Sequence, residues 1–164
     1  MARTASDRWH ATVRVETAVS IAPETGRHAL MDLALDPDMH AASQAGAREQ
    51  VLARTGEGLL ALGDVVTFRA RHFGLPWTMT AGITELERPS RFVDEQVDGP
   101  FAAFRHTHRF EARDVDTVMV DEFAFRLPGG ALGHLVARVV AAPYLRRLLT
   151  HRAALLAEAA QRTT

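Results

Sequence analysis

Hydrophobic and polar residues alternate along much of the first 128 residues, which is the pattern of half-buried β-strands. The alternation predicts six or seven strands. Their approximate bounds are 9–21, 48–54 (a weak one), 64–73, 77–89 and three runs within 91–128. The three runs are separated by the turn signal Asp98-Gly99-Pro100 and by the polar stretch 111–116. Because the connections are tight, successive strands are expected to be antiparallel.

A short helical pattern follows the first strand. Pro23 with Glu24 suits the first turn of a helix, and a short apolar stripe continues from there until Asp36-Pro37 stops it. The stretch 37–50 that follows is either a second short helix or a loop. These one or two short helices interrupt an otherwise strand-rich first part of the chain.

Past Gly129-Gly130 the apolar residues recur about every 3.6 positions as far as Gln161. This periodicity predicts one long amphipathic C-terminal helix, kinked or divided by Pro143, which has no amide hydrogen to donate. The arginines of this helix, Arg152 among them, are expected on its solvated face. The order of elements predicts an α+β fold in which a strongly curved antiparallel sheet wraps around the last helix.

The strand after Gly99 presents two histidines on its predicted inner face. Side chains alternate across a strand, so the residues of 103–110 divide into two sets. One face holds Phe104, His106, His108 and Phe110, and the other holds Ala103, Arg105, Thr107 and Arg109. The phenylalanine-rich face is expected inside and the arginine-rich face outside. Both histidines therefore lie among aromatic side chains.

Two carboxylates are expected near these histidines. Asp121 shares a face with two phenylalanines of its strand, so it is predicted to point inward from the neighbouring strand. Asp94 and Gln96 share a face with an inward phenylalanine, and a hairpin centred at Gly99 places Asp94 opposite His106. Three interpretations remain open: a buried network that satisfies its own hydrogen bonds, direct contact with a ligand, or acid–base catalysis.

Composition narrows the class of protein. The chain has 164 residues with 47% hydrophobic and 24% charged side chains, which is typical of one soluble globular domain. A net charge of -1 gives no electrostatic footprint for nucleic acid or for a membrane surface. There is no cysteine, no signal sequence and no apolar run long enough to span a membrane, so a cytoplasmic protein is expected. We expect a flexible leader at 1–9 and a single domain at 10–162.

A set of short motifs extends from the predicted strand at 77–89 to the start of the last helix. The motifs are Ile83-Thr84, Pro89-Ser90-Arg91-Phe92, Asp94-Glu95-Gln96, Gly99-Pro100-Phe101, His106-x-His108-x-Phe110, Thr117, Asp121, Phe125, Leu127-Pro128 and Gly130-x-x-Gly133. Their pattern resembles the SRPBCC (START-like) superfamily, and most of all its small bacterial polyketide cyclase/dehydrase-like proteins. Phe104 and Phe125 depart from the pattern, since family members often carry Trp and Tyr there.

The resemblance implies a helix-grip fold with a cavity between the sheet and the C-terminal helix. Such a cavity would hold a small hydrophobic molecule that is lipid, polyketide or isoprenoid-like. The predicted cavity residues are Phe68, Trp77, Met79, Phe92, Asp94, Gln96, Phe104, Phe110, Met119, Phe123, Phe125, Leu135 and Val139. A solid core is the alternative. The helix wall is expected to comprise Leu135, Val136, Val139, Leu148 and Leu149.

Three functions are consistent with these features. The first is a non-catalytic binder or carrier of a hydrophobic molecule, and the second is a cofactor-independent cyclase or dehydratase. In the enzyme, His106 or His108 would move protons with Asp121 as the orienting partner. The third is an interaction or stress-response module.

Two histidines with a carboxylate could supply metal ligands, but His-x-His on a strand is a weak signal, so neither a metal nor a cofactor is expected. The protein is expected to be a monomer or a homodimer.

Overall fold

The computed structural model describes residues 9–163, so the predicted leader at 1–9 lies outside that range except for Trp9. The seven strands are β1 Ala11–Val19, β2 Gln50–Arg54, β3 Val65–His72, β4 Leu75–Glu87, β5 Arg91–Asp98, β6 Ala103–Arg113 and β7 Asp116–Arg126. The helices are α1 Pro23–Leu35, α2 Pro37–Ser43, α3 Gly130–Val136 and α4 Ala142–Thr163. A 3₁₀ turn at Ala45–Ala47 follows α2, and a π-helical turn at Ala137–Ala141 joins α3 to α4.

All seven strands belong to one antiparallel sheet in the order β1-β7-β6-β5-β4-β3-β2. β1 and β2 lie at opposite edges, so the chain crosses the sheet through α1 and α2. The long helix α4 packs against β1, α1 and α2. The predicted α+β fold, with a curved sheet around a long C-terminal helix, is confirmed.

The two short helices meet at a corner beside the sheet. α1 begins with Pro23, whose fixed φ suits the first helical turn. It ends at Asp36, whose Oδ1 accepts hydrogen bonds from the amides of Asp38 at 2.9 Å and Met39 at 3.2 Å. Asp36 is thus the N-cap of α2, and Pro37 occupies the next position. The ambiguous stretch after Pro37 is helical as far as Ser43.

The C-terminal helix is irregular one turn before Pro143, as its sequence predicts. The residues buried along it are Gly133, Ala137, Leu149, Ala153, Leu156, Ala159, Ala160 and the charged Arg152. If the period of 3.6 residues continued backward from Leu149, positions 138 and 135 would be buried. The residues that are buried are Ala137 and Gly133. The π-helical turn contains more residues than an α-helical turn. It therefore changes which residues of α3 face the core, relative to a continuous α-helix.

Leu135 and Val139 are therefore not part of a cavity wall. The side chains are 57% and 65% exposed, and Val136 is 38% exposed. The prediction for these residues was wrong because it carried a period of 3.6 through a turn that is not α-helical. Leu149, in the regular part of the helix, is buried as predicted.

The sheet has the predicted orientation. On β6, Phe104, His106, His108 and Phe110 are all at most 5% exposed. The opposite face carries Arg105, whose guanidinium contacts Glu85 and Glu95, and Arg109, which lies 3.7 Å from Glu122. These ion pairs lie on the outer surface and are partly exposed. Their contribution to the free energy of unfolding is therefore small.

The phase of the C-terminal helix can be tested with a matched pair of truncations. Leu156→Ala should lower the free energy of unfolding by about 2–5 kcal/mol, because the Leu156 side chain is fully buried in the core. Leu135→Ala should change it by no more than about 0.5 kcal/mol, because Leu135 is exposed. Urea unfolding of both variants measures the difference. Equal losses in the two variants would contradict the helix phase described here.

Candidate functional site

The register of the three central strands places two carboxylates beside the two histidines. Asp94 of β5 lies opposite His106 of β6, and His108 of β6 lies opposite Asp121 of β7. All four side chains point to the face covered by α4. The structure therefore brings together the polar residues that the alternation pattern selected. His106, His108 and Asp121 are buried, with 5%, 2% and 1% exposure, while the Asp94 side chain is 19% exposed.

The two histidine rings share the two carboxylates. His108 lies between them, with Nδ1 2.7 Å from Asp121 Oδ1 and Nε2 hydrogen-bonded to Asp94 Oδ1 at 2.8 Å. His106 is held less closely, with Nε2 3.2 Å from Asp121 Oδ1 and Nδ1 3.8 Å from Asp94 Oδ1. The contacts of His106 Nε2 and His108 Nδ1 with Asp121 Oδ1 lack the alignment of a hydrogen bond, so they are close polar contacts.

A fifth member of the site comes from α4. Arg152 is 2% exposed, and its Nη1 lies 3.6 Å from Asp121 Oδ1. The expectation that Arg152 faces solvent was wrong. The sequence does contain a signal, because Arg152 follows Leu149 by three positions and precedes Leu156 by four, which puts it on the buried stripe. We refer to Asp94, His106, His108, Asp121 and Arg152 as the Asp121 cluster.

The histidines of the Asp121 cluster differ in protonation. Burial lowers the pKa of His106, the neighbouring His108 lowers it further, and the two carboxylates offset only part of this, which leaves a pKa of about 4. Burial also acts to lower the pKa of His108, but its contacts with Asp121 and Asp94 outweigh burial and raise the pKa above 6.5. The environment thus pushes the pKa values of the two adjacent rings in opposite directions.

The carboxylates remain ionised. Burial alone would raise the pKa of Asp121, yet its contacts with His106 and His108 hold that pKa well below 3.8. The same competition between burial and the hydrogen bond from His108 leaves the pKa of Asp94 below 3.8. These directions favour a proton on His108 over one on His106, and in that state His108 and Arg152 carry the positive charges opposite the two carboxylates.

Asp94, His106 and His108 also meet a geometric requirement of a metal site. One ligand atom from each lies within 4.8 Å of the other two, which is a spacing that a divalent cation can bridge. A cation there would compete with the proton of His108 and with the positive charge of Arg152 next to Asp121. Binding of a metal at this position would therefore require loss of the His108 proton.

A small cavity adjoins the Asp121 cluster. Its volume is about 30 Å³, which is enough for about one water molecule. The cavity is lined by Ala34, Asp36, Pro37, His40, Leu60, Val66, Phe68, Ala81, Ile83, Phe92, Asp94, His108 and Arg152. Of the predicted cavity residues, Phe68, Phe92 and Asp94 line this space. The sequence analysis did not predict that α1, α2 and Leu60 line the cavity. A strand pattern does not indicate which helices and loops cover the sheet.

The interior is fuller than predicted at the opposite end of the sheet. Phe101, Phe104, Phe123 and Phe125 pack together there with ring centroids 4.9–5.8 Å apart. Phe110 and Met119 are also buried in the core. The phenylalanine side chains that were expected to line a hollow therefore fill much of it.

The three remaining predicted cavity residues are only partly enclosed. Met79 is half-buried at the edge of the core, and Trp77 is 36% exposed, with its indole N–H donating to the carbonyl of His72. Gln96 hydrogen-bonds to the backbone of Phe101, so it holds the β5–β6 connection. The prediction that Trp77 lines an interior cavity was wrong, because this residue lies near the exposed end of the β3–β4 hairpin.

The opposed pKa shifts predict a stability maximum near pH 6.5. The contribution of His108, whose pKa is raised on folding, is complete below pH 6.5 and is lost as the pH rises through its folded-state pKa. The contribution of His106, whose pKa is lowered, is complete above pH 6.5 and is lost as the pH falls toward 4. The depressed carboxylates add a further loss only below about pH 3.8.

Urea unfolding between about pH 5 and 8.5 measures this profile. His108→Gln should flatten its alkaline side, and His106→Gln should flatten its acid side. A profile that keeps both slopes in both variants would show that other groups cause the pH dependence.

Comparison with known proteins finds relatives only at the level of structure. No family model matches the chain, and no curated protein matches its sequence. A protein from Thermus thermophilus aligns over 94% of this chain and 99% of its own, with a TM-score of 0.68 and 15% identity. A START superfamily protein from Mycobacterium smegmatis aligns over 93% and 99%, with a TM-score of 0.64 and 13% identity.

Norcoclaurine synthase from Thalictrum flavum, whose structure is a complex with dopamine and hydroxybenzaldehyde, aligns over 94% of this chain and 88% of its own. Its TM-score is 0.70 at 9% identity. No helix within residues 9–163 is both long and apolar enough to cross a membrane. Likeness at such low identities establishes the fold: this chain has the helix-grip fold of the START-like proteins that its sequence resembles.

Proposed function

We propose that this protein binds a small, mainly apolar molecule between the sheet and α4, with the polar group of that molecule at the Asp121 cluster. The observation that carries the proposal is the cluster itself. Five ionisable side chains are gathered in a mainly apolar interior, and Asp94, His108 and Arg152 of this set line a cavity. An apolar wall with a few convergent polar groups is the usual composition of a ligand site.

Stability alone is a weak explanation for such a cluster. Each buried ion loses its hydration, and apolar residues of similar volume often stabilise a fold equally well or better. Arg152 and Asp121 are 2% and 1% exposed, so this cost applies to both. Burial of a charged group that faces a cavity costs desolvation free energy. Its presence is better explained by a ligand that binds to it.

The cavity must enlarge to admit a ligand. At about 30 Å³ it is far below the roughly 300–1,000 Å³ of typical ligand pockets. Its cover includes Leu60, which belongs to the connection between β2 and β3 and is tied to α1 by a hydrogen bond from its amide to the Leu35 carbonyl at 2.9 Å. A connection without regular structure opens at a lower free-energy cost than a strand or helix. We therefore place the entrance at Leu60.

The solved neighbours support a ligand of modest size. The norcoclaurine synthase structure contains dopamine and hydroxybenzaldehyde, so a protein of this fold accommodates small aromatic molecules. The fold by itself does not select a ligand, because one fold can host many functions. The proposal for this chain therefore depends on its own Asp121 cluster and cavity.

Binding can be tested without knowing the natural ligand. The neutral fluorescent probe N-phenyl-1-naphthylamine should bind with enhanced emission, and native mass spectrometry of gently purified protein should detect a bound small molecule. Ala81→Leu should abolish probe binding, because Ala81 lines the cavity and the added carbons fill a space of about 30 Å³. Ala18→Leu, at an exposed position of β1, is the matched control and should leave binding unchanged.

Absence of both probe binding and a co-purifying molecule would contradict the proposal. That result would favour the third possibility, an interaction module with a closed core. Probe binding that survives Ala81→Leu would place the probe outside this cavity.

Acid–base catalysis is a second candidate, and the opposed pKa shifts of His106 and His108 favour it. Neighbouring groups whose pKa values are pushed apart are suited to act as a proton donor and a proton acceptor. His106 does not line the cavity as it stands, so it would reach a substrate only once the cavity has enlarged. In a dehydration there, His106 would remove a proton from the carbon next to a carbonyl, and His108 would protonate the departing hydroxyl, which leaves as water. The substrate supplies all other atoms, so no cofactor is required.

This candidate predicts a chemical change in any ligand that mass spectrometry identifies. Incubation with the protein should lower the ligand mass by one water, and His106→Gln or His108→Gln should slow turnover by about 10²–10⁴-fold. Ligand affinity should change far less. The melting temperature must be measured on the same samples, because variants that are less stable yet fully active would remove both histidines from the chemistry.

A further inference from the structure

Within residues 9–163, Arg152 is the largest of the side chains that are fully buried. It reaches the interior from α4 and lines the same cavity as Asp94 and His108. A guanidinium keeps its positive charge in essentially every protein environment. Arg152 therefore brings a permanent charge, together with several hydrogen-bond donors, to the floor of the cavity.

The guanidinium has unused donor capacity. Its Nη1 lies 3.6 Å from Asp121 Oδ1, which is an ion-pair distance but too long for a hydrogen bond. Among residues 9–163, no acceptor forms a hydrogen bond with the buried Nε or Nη1 atoms of Arg152. Buried donors without acceptors are rare because each one costs free energy.

The other ionisable groups around the cavity already have close partners. Asp36 accepts from two backbone amides at the start of α2, and Asp94 accepts from His108 Nε2 at 2.8 Å. The third group, His40, lies 3.1 Å from the buried carboxylate of Glu49. The unpaired donors at this site belong to Arg152, so a ligand that binds to its guanidinium must bring acceptors.

We propose that the ligand is a carboxylic acid with an apolar body and that its ionised carboxylate binds to the Arg152 guanidinium. This inference rests on the proposed binding function and names the class of molecule. A carboxylate carries two acceptor oxygens on one planar group, and these match the paired donors along one edge of a guanidinium. Charge-assisted hydrogen bonds of this kind are stronger than those to a neutral carbonyl. Arginine is well suited to this pairing because of its planar arrangement of donors.

The test compares two small molecules that differ only in the charged group. Isothermal titration calorimetry at pH 7 should show that 1-naphthoic acid, which is ionised, binds at least about tenfold more tightly than the neutral 1-naphthamide. Arg152→Met should remove this preference by weakening the acid and leaving the amide nearly unchanged. Arg147→Met, at an exposed position of the same helix, is the control and should preserve the preference.

A second variant guards against misfolding. Removing one partner of a buried ion pair leaves an uncompensated charge, so Arg152→Met alone is at risk of unfolding. Arg152→Met combined with Asp121→Asn removes both charges and should also bind the acid and the amide equally. A preference for the acid that persists in either folded variant would overturn the assignment to Arg152.

The outcomes separate this inference from the binding function. If the amide binds the unmodified protein as tightly as the acid, the cavity accepts apolar molecules and the carboxylate assignment is wrong. If neither compound binds and the neutral fluorescent probe does not bind either, the proposed binding function is wrong. The carboxylate assignment is then wrong as well.

Discussion

The packing of α4 against the centre of the sheet depends on the Asp121 carboxylate. It is almost fully buried, and His106, His108 and Arg152 all place a nitrogen within 3.6 Å of its Oδ1. These contacts join β6 and β7 to α4, so one carboxylate connects the sheet to the helix that it grips. An ionised group in this position is tolerable only while its positive partners remain in place.

This dependence constrains the strand register. A slip of one residue in β6 would turn His106 and His108 to the outer face and bring Arg105 and Thr107 inside. Asp121 would then lose both ring contacts and face the interior with Arg152 alone. The Asp121 cluster therefore favours the observed register more strongly than the phenylalanine side chains could do by themselves.

Much of this arrangement could be predicted from the sequence, because strands reveal their faces through a period of two. The inward direction of His108 and Asp121 follows from the phenylalanines that share a strand face with each, and the fold follows from the order of the elements. The Leu149-Arg152-Leu156 spacing indicated that Arg152 is buried, but arginine is so common on exposed helix faces that its chemistry suggested the opposite.

The parts that could not be predicted depend on packing between distant segments. The π-helical turn exposes Leu135 and Val139, and a pattern read at a constant 3.6 residues per turn has no way to anticipate it. The size of the cavity depends on how Phe101 fills the interior and how Leu60 covers it, and both lie in connections rather than strands. Sequence patterns assign a residue to a face, whereas volume is set by contacts across the whole domain.

The C-terminal helix therefore divides into two parts with different roles. The part from Leu149 onward is fixed in the core and presents Arg152 to the cavity, while the part before Pro143 is buried mainly through the small residues Gly133 and Ala137. A rigid segment is the better place for a charged group with the ligand-binding role that we propose, since a displacement of about 1 Å weakens a directed hydrogen bond. Arg152 satisfies this condition, because its helix neighbours Ala153 and Leu156 are fully buried. The ionic and apolar parts of the interior thus have a common basis: the packing that holds α4 in place also fixes the one guanidinium that faces the cavity from among residues 9–163.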